Sequence, residues 1–266
     1  DTALEGVTDV VLLAALVGDP ICKKYPDLAR KTNLDYPKNL FKKLNNRGIS
    51  NFVFSSTCSN YGLRTDDTLA NEESALNPQS LYAETKVEFE KFILEHGKDV
   101  DYASTILRLS TAFGISERMR FDLTISEFTK DLAFGKDLLV YDEHTWRPYC
   151  NVSDISEAVI KVLEAPNEKV SGEVFNIGSD QNNYTKKMIL DLIQNHVDTA
   201  SVSYKEGGFD PRNYRVSFEK AKRILNFDTH TSVEDSIVAL IKSIENNLYG
   251  DIENRKNFYG NYEIKE

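Results

Sequence analysis

Cysteine, histidine and basic charge are all scarce in this sequence. Its 266 residues hold three cysteines (Cys22, Cys58, Cys150) and four histidines. None has paired or metal-ligand spacing, so no metal cluster is expected. An odd, low cysteine count excludes a disulfide scaffold and fits a reducing, cytoplasmic compartment. Acidic residues outnumber basic ones 42 to 32, for a net charge of −10. That balance argues against nucleic acid as a partner, which needs a basic face. It leaves room for an anionic small ligand held by a few local arginines. No apolar run approaches the ~18 residues a membrane span requires, so no membrane partner is expected. Repeats and low-complexity linkers are missing too.

What is present is an ordinary globular composition, 41% hydrophobic and 28% charged. The length suits one large α/β domain or a two-lobed one. Three apolar runs read as central strands of a parallel sheet: Asp9 to Ala15, Asn51 to Thr57 and Ala103 to Ser110. Gly172 to Gly178 reads as a further strand. Helical patterns lie at Asn33 to Leu44, Tyr82 to Leu94, Phe121 to Phe134, Asp154 to Leu163 and Thr185 to Val197. Alternating strands and helices predict a doubly wound, Rossmann-like α/β fold with right-handed crossovers. Near the end, Thr231 and Glu234 fit a capping box. The helix they open would bury Ile237, Leu240, Ile241, Ile244 and Leu248. The tail from Asp251 is polar and expected to be loosely held.

The chemistry concentrates in "SLYAETK". On a helix, Tyr82 and Lys86 are one turn apart and share a face. A phenol titrates near ~10 and is a poor base at neutral pH. A nearby ammonium favours the phenolate, which makes the pair a tunable acid/base for a sugar or alcohol hydroxyl. Upstream, "FSSTCSNYG" ends an apolar strand in a hydroxyl-rich turn. The carboxyl ends of parallel strands are where open α/β sheets bind ligands.

These segments resemble the extended short-chain dehydrogenase/reductases, specifically the NAD(P)-dependent nucleotide-sugar epimerases and dehydratases such as UDP-glucose 4-epimerase. The likeness runs through "DVVLLAALVGDP", "FVFSSTCSNYG", "YAETK", "ILRLSTAFG", "RPYCNVSDISEAV", "GEVFNIGS" and "DPRNYRVSFEKAKRILNF". It implies that Thr57, Tyr82 and Lys86 are catalytic. Asp1, Leu13, Ala14, Ala15, Asn33 and Ala112, with Tyr82 and Lys86, would contact the cofactor, NAD or NADP. Cys58, Ser59, Thr111, Ser126, Arg147, Arg212 and Tyr214 would face a nucleotide-diphosphate sugar. Ala14 and Ala15 have tight packing as an alternative role, Arg212 a surface ion pair, Asn33 a loop tie. The resemblance also implies a homodimer through the helix carrying Tyr82. It divides the chain into a dinucleotide-binding part (1–112 and 149–180) and a smaller C-terminal α/β substrate lobe (113–148 and 181–266).

Two departures from the family pattern are informative. Dehydratases of the family carry Asp-Glu after the catalytic hydroxyl, where this chain has Cys58 and Ser59. Dehydration is therefore not expected, and hydride chemistry at one carbon, C4, is. That leaves 4-epimerisation first, with NADPH-dependent reduction of a 4-keto sugar or a non-catalytic dinucleotide sensor as alternatives. The second departure is the missing glycine-rich turn. Its absence, with a chain opening at Asp1, implies that the first two strands lie outside these 266 residues.

Overall fold

The computed structural model describes residues 2–197, 201–208, 210, 212–260 and 264. Its strands are β1 (Asp9–Leu12), β2 (Asn51–Thr57), β3 (Ala103–Leu109), β4 (Thr111–Phe113), β5 (Leu138–Tyr141), β6 (Trp146–Asn151), β7 (Glu173–Ile177), β8 (Asn183–Thr185) and β9 (Val202–Lys205). Its helices are α1 (Asp19–Lys24), α2 (Pro26–Arg30), α3 (Tyr36–Leu44), α4 (Leu81–His96), α5 (Thr124–Ala133), α6 (Val152–Glu164), α7 (Asn167–Val170), α8 (Lys186–Gln194), α9 (Glu219–Leu225), α10 (Val233–Glu245) and α11 (Lys256–Tyr259).

Four strands form one parallel sheet in the order β1-β2-β3-β7. Its two faces bury different residues because successive side chains on a strand point oppositely. Phe52, Phe54 and Ile106 join Phe41, Phe89, Phe92 and Ile93 from α3 and α4. Val53, Leu107, Phe175 and Ile177 pack instead with Ala158 and Val162 of α6 and Leu225 of α9. On the first face Phe41 sits edge-on to Phe52, Phe92 and Tyr102, at 5.3, 5.8 and 5.3 Å between ring centroids. Such edge-to-face geometry aligns the ring quadrupoles favourably.

A second set of elements follows the sheet. Strands β4, β6 and β8 form one small sheet, and β5 pairs with β9 in another. Their core joins Ile125, Phe128 and Leu132 of α5 to Ile189 and Ile193 of α8 and Ile237 of α10. Strand β6 runs through the expected boundary at residues 148 and 149. No helix among the described residues is long and apolar enough to cross a membrane.

Several expectations shift. Strand β1 is shorter than the apolar run suggests and only half-buried, because it lies at the edge of the sheet. The helix expected from Asn33 starts at Pro26 and passes through a π-helical turn, Lys31–Asp35. The capping box falls one residue later, on Ser232 and Asp235. Asp235 lies three positions into the helix from Ser232, where its carboxylate reaches back to the cap. Leu248 lies beyond the end of α10 and is exposed. Between Ile252 and Tyr259 the tail is better held than its polarity suggests. Ile252 and Tyr259 are buried with Met119, Phe121 and Tyr249.

Gly62 closes the turn after β2 at φ +65° and ψ −127°. A Cβ there would lie 1.8 Å from the Asn77 carbonyl oxygen. Backbone strain of this kind costs about 1–3 kcal/mol before any clash. Gly62→Ala is expected to lower stability by at least that amount, read as a lower urea midpoint.

Candidate active site

Thr57 is the last residue of β2, and its Oγ1 accepts a hydrogen bond from the Ser59 N–H at 3.1 Å. That bond caps the short 3₁₀ turn Cys58–Tyr61 and turns the chain out of the sheet. Helix α4 packs against this strand and begins at a Ser80 cap. Tyr82 lies in its first turn, half-buried. One turn on, Lys86 is 2% exposed. Its Nζ donates to the Ser55 carbonyl at 2.7 Å and lies 4.6 Å from the Phe54 ring centre and 5.7 Å from that of Tyr82. Lys86 thus links the start of α4, which carries Tyr82, to the carboxyl end of β2, which ends in Thr57.

The electrostatics differ from the simple pairing read from spacing. Burial pushes the Tyr82 phenol up, and the charges at Cys22 and Asp19 push it further, against a lowering from Arg120 and Arg212. Tyr82 rests as a neutral phenol in the ligand-free chain, because burial outweighs every charge that favours the phenolate. Burial lowers the Lys86 ammonium to about 8, with Glu90 opposing the drop. The ammonium is spent on the Ser55 carbonyl, one of its three donors.

Beneath the pair lies a buried network whose members were not among the expected site residues. Arg108 on β3 bonds both carboxylate oxygens of Glu90 through Nε, at 3.2 and 3.1 Å, and through Nη2 at 2.7 Å. Glu90 also accepts from the Ser56 hydroxyl and from Asn60 Nδ2, the latter at 2.8 Å. The signal was there: Glu90 repeats the four-residue spacing from Tyr82 and Lys86, and Arg108 interrupts an apolar strand.

Cys58 faces away from any reacting group. It is buried, and its thiol donates to the Arg108 carbonyl at 3.1 Å. Burial pushes that thiol far above the range where it ionises. Ser59 turns towards Arg212 and Tyr214, at 3.5 and 3.4 Å from its hydroxyl oxygen. Arg147 stands over the Tyr214 ring at 5.1 Å and pairs with Asp210 at 2.9 Å. Arg212 grips the same carboxylate at 2.8 and 2.9 Å and meets Asp19 at 3.3 Å. Burial alone would raise Asp210; the Arg212 hydrogen bonds and the two guanidinium charges hold it well below the usual carboxylate range. Arg212 is therefore more than a surface ion pair. Asp210 and Asp19 were not among the residues expected at the site.

The remaining positions divide. Leu13 and Ala14 are exposed where β1 ends, Leu13 at 61%, and Ala15 is half-buried. Asn33, in the π-helical turn, accepts from the Leu16 N–H at 2.7 Å and donates to the Leu16 carbonyl at 3.0 Å. It ties that loop down. Thr111 and Ala112 are half-buried on β4, paired with Tyr149 and Cys150. Ser126 is buried on α5 and makes no hydrogen bond to the arginine pair. Asp1 lies outside the described residues.

A sequence model of the NAD dependent epimerase/dehydratase family matches residues 2–178, about two thirds of the chain. The chain belongs to the NAD dependent epimerase/dehydratase family. Among individual proteins, it is 28% identical over 254 residues to an uncharacterised UDP-glucose epimerase of Bacillus subtilis, covering 93% of this chain and 78% of that one. It is also 28% identical over 254 residues to a UDP-glucose 4-epimerase of Corynebacterium glutamicum, covering 87% and 75%. In fold it is similar to the UDP-glucuronic acid 4-epimerase of Bacillus cereus, solved with UDP-glucuronic acid and NAD. That match has a TM-score of 0.81 at 22% identity and covers 93% of this chain and 78% of the other.

NAD is the cofactor of this epimerase/dehydratase family, and the residues present fit its nicotinamide end. Leu13 and Val17 offer exposed apolar surface at the carboxyl end of β1. Lys86 keeps donors beyond its one hydrogen bond. The sequence holds no glycine-rich turn for the pyrophosphate.

A lysine lowered by burial costs the fold stability while it is protonated. Between about 8 and the ordinary 10.5, the unfolded chain binds a proton that the folded chain has released, so stability rises with pH there. Lys86→Met is therefore expected to be more stable than the parent at pH 7. The gap should narrow as pH rises past 8, measured by urea unfolding at each pH.

Proposed function

We propose that this protein is a nucleotide-sugar 4-epimerase. What supports the reading is one turn: Lys86, one helical turn from Tyr82, bonds the Ser55 carbonyl near the carboxyl end of β2, Thr57 ends that strand, and Ser59 of the turn that follows reaches Arg212 and Tyr214. A proton-moving group and an anion-binding group thus share one turn. Bound NAD supplies the hydride acceptor and donor. Tyr82, with the Thr57 hydroxyl beside its route, takes the proton of the sugar 4-hydroxyl and later returns it to that oxygen, once C4 has been reduced on its opposite face. Lys86 would hold the nicotinamide ribose and would stabilise the phenolate once the cofactor's positive charge favours it. Arg147 and Arg212 suit a diphosphate, because a guanidinium forks two hydrogen bonds onto one anion. In the ligand-free chain both are held on Asp210.

The positions after Thr57 support epimerisation over dehydration. Water loss needs an acid and a base beside the hydroxyl. Cys58 is buried and un-ionised, and Ser59 is a neutral alcohol. Neither replaces a carboxylate.

The first test is to denature the purified protein and identify any released dinucleotide and nucleotide-sugar by mass spectrometry. Released NAD and epimerisation of the released sugar class without net redox are expected. Stoichiometric NADPH consumption would instead mark a 4-keto-sugar reductase, and a protein that binds neither dinucleotide would be a scaffold. Tyr82→Phe is expected to cut kcat by about 10²–10⁴-fold with the bound dinucleotide retained. Full turnover in that variant would remove Tyr82 from the chemistry.

A further inference from the structure

Glu90 has no part in the reaction just described, yet it occupies the next turn of the same helix face as Tyr82 and Lys86. It is 1% exposed. An arginine–glutamate pair buried for stability alone is a poor investment, since apolar residues of similar volume often serve as well. The bonds around Glu90 point to a further role. Ser56 donates its hydroxyl to Glu90, and Asn60 donates its amide both to Glu90 and, at 3.1 Å, to Ser56. Those two residues flank Thr57 on either side of its turn. The Ser55 carbonyl, one residue earlier, holds Lys86. The end of β2 is thus stitched to α4 by two adjacent links, one through Lys86 and one through Glu90.

We propose that Glu90 is a positioning residue for the acid–base pair: its carboxylate keeps buried Lys86 as an ammonium and, through Ser56 and Asn60, fixes the Thr57 turn against the helix that carries Tyr82. The proposal rests on the reading of Tyr82 and Lys86 as the reacting pair. Few charges face Lys86. Glu90 lies on its own helix and favours the ammonium, ahead of Cys22 on α1. Tyr82 lies on the other side, with Asp19 acting on Tyr82. Arg108 on β3 is bonded to Glu90, and Glu90 acts on Lys86 through its charge from one turn away. One carboxylate therefore serves two buried cations. Its negative charge is what lets a lysine with so little solvent stay protonated near neutral pH, where burial has already brought it to about 8.

The test titrates the lysine directly, in the intact protein labelled with 13C at lysine Cε and without added substrate. Lys86→Arg assigns the resonance. The parent is expected to titrate near 8. Glu90→Gln keeps the shape and most hydrogen bonds but removes the charge, and should lower the midpoint by about one unit, a tenfold fall in the ammonium-to-amine ratio at a given pH. Arg108→Met leaves Glu90 to Lys86 alone and should raise the midpoint. A residue of merely structural importance would not move it in opposite directions in the two variants. Thermal unfolding checks that each variant is folded, and Arg108→Met decides by itself if Glu90→Gln does not fold. An unmoved midpoint in Glu90→Gln, or one that fails to rise in Arg108→Met, overturns the proposal. Failure to find bound NAD would sink the epimerase reading while this titration stayed readable. A flat titration would sink the role of Glu90 while leaving the reaction intact.

Discussion

Two opposite charges, Glu90 and Arg108, are taken out of water in the middle of this protein, at 1% and 4% exposure. Removing charge from water is costly, and the attraction between the two offsets it only if every remaining donor and acceptor is used. That requirement propagates outward. Glu90 is completed by Ser56 and Asn60. Arg108 is completed by the Tyr61 hydroxyl at 3.0 Å and the Glu72 carbonyl at 3.2 Å. Tyr61 in turn donates to Asn176 on β7 at 2.7 Å. Helix α4, strands β2, β3 and β7 and the turn after β2 are therefore bound into one polar unit within an apolar sheet. The geometry of Thr57, Tyr82 and Lys86 is inherited from it.

The aromatic packing around Phe41 and Phe52 does different work. Burial of large rings supplies most of the stabilisation that holds α3 and α4 on the sheet, at roughly 25 cal/mol per Å² of apolar area. That force has no direction and would tolerate a helix rotated or slid by a fraction of a turn. The polar unit does not tolerate it. Lys86 must reach the Ser55 carbonyl and Glu90 the Ser56 hydroxyl from adjacent turns. Packing sets how firmly α4 sits, and hydrogen bonds set where.

Across the site, Asp210 plays a comparable part for Arg147 and Arg212. Asp210 sits between the two guanidiniums and keeps both arginines side by side. A dianionic diphosphate is the natural competitor for such a pair, because it offers more charge in the same geometry. The contact from Arg212 to Asp19 joins this group to the loop after β1. Asp210 lies on a loop and Asp19 opens α1, and no spacing motif links either to the arginines.

The sequence alone determined the parallel α/β sheet, most helices and the one-turn spacing of Tyr82 and Lys86. Those features are local: apolar runs, helical periodicity and a four-residue spacing are each written within a dozen residues. It also carried the family, through many short motifs in order. Only the tertiary structure decided the electrostatic state of the pair, because burial of Tyr82 and Lys86 comes from segments far away in the chain. It decided as well that Cys58 points into the core, that Asn33 clamps Leu16 and that Glu90 finds Arg108. Each of those facts depends on which distant atoms fill the space around a side chain, and no spacing along the chain records that.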